Sequence, residues 1–231
     1  MKKFIIAILA CLPTLGFAAG GNNPHVVHAE IDLHDKASLQ RGAQTFMESC
    51  LGCHSTQYQR YGRVADDLGF STDEMMAMIH TDAKIGDLMV SSMPQEAAAN
   101  WFGAPPPDLT MVARVRGSDW LYSYLISFYQ DESRPFGVNN LVFPSVGMPH
   151  VLERFQGVPV LQEDGTIVAT GGSMNDEEFK QMALDLTNFL TYSAEPIRTT
   201  REAMGVWVLG FLVVFFILAY LLKREYWRDV H

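Results

Sequence analysis

The sequence predicts a mainly α-helical domain that is exported and then held in a membrane by one C-terminal helix. Three observations predict it: a short apolar run at the N-terminus, a long one near the C-terminus, and apolar residues at helical spacing between them. At 48% hydrophobic and 19% charged, the 231 residues are too apolar for a disordered chain. The net charge of −9 argues against general nucleic-acid binding, so we expect no nucleic-acid partner.

Residues 1–18 have the pattern of a secretory signal peptide. Two lysines precede an apolar run over residues 4–12, and small residues follow it up to a cleavage site after Ala18. A membrane anchor is one alternative, but nine apolar residues ended by Pro13 are too short to cross a bilayer. A lipoprotein is the other, because Cys11 stands in a loose match to a lipoprotein processing site. Cleavage after Ala18 would remove Cys11 and leave two cysteines in the mature chain.

Two helices are predicted in the first half of the exported domain. Apolar residues share one helical face over residues 39–50, and Asp35 is placed to cap the N-terminus of that helix. Ser71 and Glu74 have the spacing of a capping box before a shorter helix over residues 75–80. The first helix would run directly into the pair of cysteines.

The second half of the domain predicts two further helices and a hairpin. One apolar stripe covers residues 120–128. A longer stripe over residues 179–190 is preceded by Asn175 and Glu178 at capping-box spacing. Residues 158–168 alternate and turn as a small β-hairpin does.

Residues 203–222 predict a single transmembrane helix, because twenty consecutive residues without a charge are long enough to span a bilayer. A buried core helix is the alternative, but it would show a polar stripe and this segment has none. Lys223 and Arg224 follow directly, which favours a cytoplasmic tail over residues 223–231. The domain of residues 19–202 would then lie on the periplasmic side of the cytoplasmic (inner) membrane.

The exported domain is strongly acidic. Residues 19–202 hold twelve Lys and Arg against twenty-four Asp and Glu, a net charge of −12. Most charge runs are solvated faces, but an excess of one sign would also steer a basic partner. The clusters that could dock such a partner are Asp66-Asp67, Glu163-Asp164 and Asp176–Glu178.

Residues 50–54 read C-L-G-C-H, the C-x-x-C-H pattern of covalent c-type haem attachment. The thiols of Cys50 and Cys53 can add to the two vinyl groups of one porphyrin, which places His54 next to the iron. A thioredoxin-like pair would not need His54, and zinc would need further ligands. The non-helical segment that contains Pro106 is expected to pack along the haem. We therefore expect one covalently bound haem c.

The second axial ligand of the iron is left open by the residues alone, because His and Met both serve in that position. Met148 lies in a loop stiffened by Pro144 and Pro149, which could hold a thioether against iron without helix packing. His150, next to that loop, is the main competitor. The other candidates are His25, His28, His34, His80, Met47, Met75, Met76, Met78, Met89, Met93, Met111, Met174, Met182 and Met204.

Several distinctive motifs are distributed over almost the whole mature length. They are Arg41-Gly42, Cys50–His54, Gly103-Ala104, Pro106-Pro107-Asp108-Leu109-Thr110, Phe143-Pro144, Gly147-Met148-Pro149 and Ala194-Glu195-Pro196. In this combination the chain resembles the cytochrome c1 family, the haem-bearing subunits of cytochrome bc1 complexes. The resemblance implies a class I cytochrome c-like core with insertions, plus one C-terminal transmembrane helix.

The resemblance also implies roles for single residues and for the whole chain. Met148 becomes the distal iron ligand opposite His54, Arg114 pairs with a haem propionate, and Trp120 lies near the same propionates. The chain would carry electrons from the Rieske iron–sulfur protein to a soluble cytochrome c, beside cytochrome b, in the bc1 complex of a respiratory chain. No catalysis is expected of the isolated chain. The alternatives are a membrane-tethered cytochrome that feeds a terminal oxidase, and a haem sensor or peroxidase with an open sixth site.

Overall fold

A computed structural model of the chain describes residues 23–230, so the predicted signal peptide, with Cys11, lies outside the described residues. The helices are α1 (Lys36–Ser49), α2 (Tyr61–Leu68), α3 (Thr72–Met78), α4 (Gln95–Phe102), α5 (Val112–Arg116), α6 (Ser118–Ile126), α7 (Glu153–Gln156), α8 (Asp176–Ala194) and α9 (Arg198–Tyr226). The strands are β1 (Thr56–Arg60), β2 (Leu88–Met89), β3 (Phe128–Gln130), β4 (Val138–Asn140), β5 (Gly157–Leu161) and β6 (Ile167–Gly171). They form three separate antiparallel pairs, so the predicted mainly α-helical class is confirmed.

Local sequence signals place the starts of the helices. The Asp35 carboxylate accepts the backbone N–H of Ser38 at 3.0 Å and caps α1 as predicted. Both predicted capping boxes are present, at Ser71 before α3 and at Asn175 before α8. The second predicted helix, over residues 75–80, is displaced toward the N-terminus because the box at Ser71 starts α3 at once.

The core of the domain lies between α1 and α8. Phe46 and Phe189 are fully buried, and their ring centroids are 5.4 Å apart. Gly42 lets the two helix backbones approach closely, because it has no side chain to place between them. The helix that ends at the cysteine motif is therefore fixed directly on the longest helix of the domain.

A buried carboxylate also joins these two helices. Asp185 is 2% exposed and accepts hydrogen bonds from Arg41 Nε at 2.6 Å and from Ser38 Oγ at 2.6 Å. Arg41 Nη2 and Gln181 Nε2 each donate to the same carboxylate at 3.0 Å. A buried charge is costly unless it is paired and hydrogen-bonded, and here both conditions are met.

Substitution of Gly42 by Ala is expected to destabilise the domain. The added Cβ would lie 2.0 Å from the Asp185 carbonyl oxygen and 2.9 Å from Phe189 Cβ, so α1 and α8 would have to move apart. Overpacking of this kind costs about 1–3 kcal/mol, and a lower Tm of the haem-loaded chain in detergent would report it. Gly86→Ala is the matched control, because a Cβ at Gly86 meets no atom within 4 Å. Equal melting temperatures for the two variants would contradict the close approach.

The prediction of a single helix over residues 120–128 is wrong at its end. Helix α6 stops at Ile126, and Phe128 starts the strand that pairs with Asn140. The Asn140 side chain explains the break, because its amide donates to the Tyr124 carbonyl at 2.8 Å, near the end of the helix. Its Oδ1 accepts from Ser127 Oγ at 3.1 Å. The predicted hairpin, in contrast, is confirmed, with Gly157 facing Gly171 at its open end.

The C-terminal helix α9 has 29 residues and contains the whole predicted span of residues 203–222. At about 1.5 Å per residue it is about 43 Å long. Among the described residues it is the one helix long and apolar enough to cross a membrane, and none of its residues is buried in the domain. The fold therefore combines a helical domain with one exposed apolar helix of membrane-spanning length.

Candidate haem site

The cysteine motif forms one tight turn at the end of α1. The backbone N–H of Cys50 still bonds to the Phe46 carbonyl, which continues the helix into the motif. The Cys50 carbonyl then accepts the N–H of Cys53 at 3.0 Å and the N–H of His54 at 2.8 Å. Residues three and four apart in such a turn lie on one side. Both thiols and the imidazole are therefore carried on the same side of one rigid turn.

Hydrogen bonds from two other segments hold this turn. Ser91 Oγ donates to the Gly52 carbonyl at 2.8 Å, and the Ser91 N–H donates to Ser55 Oγ at 2.9 Å. The Ser55 carbonyl accepts the N–H of Leu109 at 2.8 Å. The last of these bonds attaches the proline-rich segment, which is non-helical as predicted.

His54 makes a hydrogen bond that leaves its other ring nitrogen free to bind a metal. Its Nδ1 lies 2.8 Å from the Pro107 carbonyl oxygen, which can only accept a hydrogen bond. Nδ1 therefore carries the proton, and Nε2 of the neutral ring keeps its lone pair for a metal. Burial lowers the pKa of His54, which favours this neutral form, although the Pro107 bond and Asp108 oppose the shift. Pro106 is the neighbour of the residue that orients His54.

The two cysteines are free thiols, and their pKa values differ from those of a redox-active pair. Cys50 is buried, and desolvation together with the neighbouring Cys53 raises its pKa to about 12. Burial also raises the pKa of Cys53. A thioredoxin-like cysteine has a lowered pKa instead. Over residues 23–230 there is no group of three or more His, Cys, Asp or Glu side chains that could hold a metal ion by itself.

Met148 lies among aromatic and apolar side chains in the loop before α7. Its sulfur accepts a hydrogen bond from the Tyr124 hydroxyl at 3.2 Å. The side chain also packs against the small cluster of Phe128, Val138 and Val146. These contacts position the thioether from several sides, as a ligand to iron requires. The role of Met148 as a ligand stays a prediction.

His150, the competitor of Met148, is used for packing. Its Nε2 lies 2.7 Å from Gln156 Oε1, and its ring stacks on Phe128 with 4.8 Å between the centroids. Burial lowers its pKa to about 4, although the Gln156 bond acts in the opposite direction. The imidazole is buried and engaged on one edge and on one face, whereas the Met148 side chain is only partly buried and its sulfur has a single hydrogen bond. This difference favours Met148 over His150.

Trp120 lies beside the Met148 loop, as part of an aromatic stack. Its ring is stacked on Tyr124 at 5.1 Å and meets Phe143 edge-on at 6.2 Å. The Arg116 guanidinium lies over the Trp120 ring at 5.1 Å and is 5.9 Å from the Phe143 ring. The Arg116 cation therefore lies over Trp120, which stacks on Tyr124, the residue that contacts the Met148 sulfur.

Arg114, the arginine predicted to pair with a propionate, contacts a carboxylate of the protein itself. Its Nη1 lies 3.3 Å from Glu195 Oε2, in the connection between α8 and α9. Arg116, which the sequence analysis did not single out, lies beside Trp120. The spacing of four residues between Arg116 and Trp120 was the available signal, because side chains so spaced often lie on one face.

The donor set fits a c-type haem. It offers two thiols on one turn, an imidazole with a fixed tautomer and a thioether in a braced loop. One helix of membrane-spanning length follows the domain that contains these groups. Such a fold and site define a membrane-anchored c-type cytochrome.

Comparison with known proteins gives the family. The model of the Cytochrome C1 family matches residues 27–230, and the chain belongs to this family. It is 48% identical, over an alignment of 244 residues, to cytochrome c1 of Allochromatium vinosum, with all of both chains covered. It is 45% identical over 234 residues to a Nitrosomonas europaea protein named ammonia monooxygenase gamma subunit, covering all of this chain and 99% of that one. A chain of a solved structure described as a hyperthermophilic respiratory Complex III aligns with 99% of this chain and 97% of its own length, at a TM-score of 0.48 and 17% identity.

Family membership confirms the predicted function at the level of the class. The chain is a membrane-anchored electron-transfer subunit of the cytochrome bc1 type, and its family implies a c-type haem. The individual haem contacts predicted for Cys50, Cys53, Pro106, Arg114 and Trp120 stay predictions.

Proposed function

We propose that the chain accepts electrons from a Rieske iron–sulfur protein and passes them to a soluble cytochrome c, beside cytochrome b in one complex. The observation that carries the proposal is the rigid C-x-x-C-H turn, whose His54 is fixed by Pro107 for metal binding. This turn belongs to a domain that is followed by one helix of membrane-spanning length. When bound, a haem would supply a one-electron redox centre at the membrane surface.

In this proposal each side chain of the site has one task. Cys50 and Cys53 would hold a single haem through thioether bonds, and His54 would bind its iron through Nε2. Met148 would supply the second ligand, and a Met/His pair raises the potential of a haem iron. Pro106 belongs to the segment that orients His54 and packs along the ring. Since all of these groups are braced, a change of charge at the iron requires little rearrangement.

The propionate side of the site is proposed to be cationic. Arg114 and Trp120 are the residues that the family resemblance places there. Arg116 is the cation held directly over Trp120, so it is the better placed of the two arginines. A guanidinium at this position would offset propionate charge that is costly to bury.

The proposed location is the inner (cytoplasmic) membrane, with the haem domain on the periplasmic side. Support comes from the signal-peptide pattern of residues 1–18 and from Lys223 and Arg224 directly after the apolar span. Protease added to sealed spheroplasts should then digest the haem domain and spare the anchor. Protection of the domain would overturn this location.

Extraction in mild detergent tests the proposed partners. Cytochrome b and a Rieske subunit are expected to co-purify with the full chain. Recovery with a terminal oxidase instead would favour the tethered-cytochrome alternative. Recovery with monooxygenase subunits would assign the chain to the assembly after which its Nitrosomonas relative is named. A five-coordinate iron in the resting protein would favour a sensor or peroxidase.

Electron transfer to a basic soluble cytochrome c is expected to slow as ionic strength rises. At 0.15 M, salt largely screens the attraction between exposed charges that are more than about 8 Å apart.

Among the acidic clusters, Glu163 and Asp164 lie exposed at the tip of the β5–β6 hairpin with no basic partner in the described chain. Asp67 and Asp176, in contrast, are paired with Arg63 and Lys180.

Charge reversal locates the docking cluster. Glu163→Lys should slow the second-order transfer rate at low salt more than Asp176→Lys does, although both change the net charge equally. A transfer rate that is indifferent to salt would rule out electrostatic docking.

A further inference from the structure

The junction between the domain and its anchor is short and lacks a packed interface. Helix α8 ends at Ala194 and α9 begins at Arg198, so three residues connect them. No residue of α9 is buried. Hydrophobic packing therefore does not set the orientation of the domain relative to the helix, and polar contacts at the junction have to do so.

One carboxylate in this connection binds cations on both sides. Arg201, in the first turns of α9, donates to the Glu195 carboxylate through Nε and through Nη2, the latter at 3.1 Å. Arg114, on α5 of the domain, donates to the same carboxylate through Nη1 at 3.3 Å. The Glu195 side chain is only 20% exposed, and the pair with Arg201 lowers its pKa, so it stays ionised.

The domain side of this contact leads to the haem site within a few residues. Arg114 lies five residues after Leu109, whose N–H bonds to Ser55, and seven after Pro107, whose carbonyl orients His54. The same short stretch of chain thus contacts the predicted iron ligand at one end and Glu195 at the other.

We propose that Glu195 is a positioning residue that fixes the orientation of the haem domain on its membrane anchor, by bridging Arg114 of the domain to Arg201 of the helix. The proposal rests on the proposed function in one respect, that the domain carries a haem whose plane can be measured. The bridge holds the haem plane at one angle to the membrane.

Orientation-dependent EPR of the full, haem-loaded chain in stacked lipid multilayers tests this. The g-tensor reports the angle between the haem plane and the membrane normal. The unmodified chain is expected to give one narrow angular distribution and Glu195→Gln a clearly broadened one. Glu202→Gln is the matched control, because Glu202 pairs with Arg198 and Arg201, both within α9, and contacts no cation of the domain. It should keep the narrow distribution.

The optical spectrum separates this proposal from the proposed function. Glu195→Gln should keep the haem content and the axial-ligand bands of the unmodified chain while its orientation spreads. A narrow distribution in Glu195→Gln would overturn the proposal, whatever assembly the chain belongs to. If that variant fails to load haem, Arg201→Gln removes the anchor side of the bridge alone. A narrow distribution in Arg201→Gln would overturn the proposal equally.

Discussion

Replacement of Met148 by Leu is expected to abolish the weak sulfur-to-iron absorption band of the oxidised protein and to lower its midpoint potential. Axial ligands set haem potentials over a range of about 0.8 V, and a Met/His pair lies toward the high end. A loss on the order of tenths of a volt is therefore expected. Leu retains much of the apolar contact with Phe128, Val138 and Val146, so the loop should stay folded. Absorption spectroscopy and a redox titration measure the two effects.

His150→Gln is the control for that experiment. It should keep the sulfur-to-iron band and lower the stability, because it removes the stack on Phe128 and alters the bond to Gln156. An unchanged oxidised spectrum in Met148→Leu would contradict the assignment. The role would then pass to His150 or to another methionine.

The double substitution Cys50→Ser and Cys53→Ser is expected to abolish covalent haem attachment. A hydroxyl does not replace the thiols that form the thioether bonds, so no haem should remain on the denatured chain. Haem staining after denaturing electrophoresis measures this directly. Because Cys11 lies in the predicted signal peptide, Cys11→Ser should leave the staining of the mature chain unchanged. Haem staining in the double variant, or its loss in Cys11→Ser, would contradict the account.

The elements that the sequence predicts best are those with a local cause. Asp35 and Asn175 lie within three residues of the N–H groups that they cap, so their spacing is visible without the fold. The end of α6 is different, because it is set by the side chain of Asn140 in strand β4. This side chain bonds to Tyr124, which lies sixteen residues earlier in the chain. Helical periodicity continues through Phe128 and contains no sign of that contact.

The candidate site divides in the same way. The attachment turn and His54 follow from one pentapeptide, whose chemistry requires adjacent residues. The bond that fixes the His54 tautomer comes from Pro107, 53 residues away, and the contact of Arg114 with Glu195 spans 81 residues. Contacts of such separation depend on how distant segments pack in the folded domain. For this reason the sequence alone could not assign Pro107 to His54 or Arg114 to Glu195.

The most direct test of the central claim is the reduction of this haem by quinol in isolated membranes. On addition of quinol, the α-band of the c-type haem should appear, and removal of the Rieske subunit should abolish it while the full chain stays in the membrane. Added soluble cytochrome c should then oxidise the haem again. A haem that stays oxidised while cytochrome b is reduced in complete membranes, or one that is reduced equally fast without the Rieske subunit, would contradict the proposed place of this chain in electron transfer.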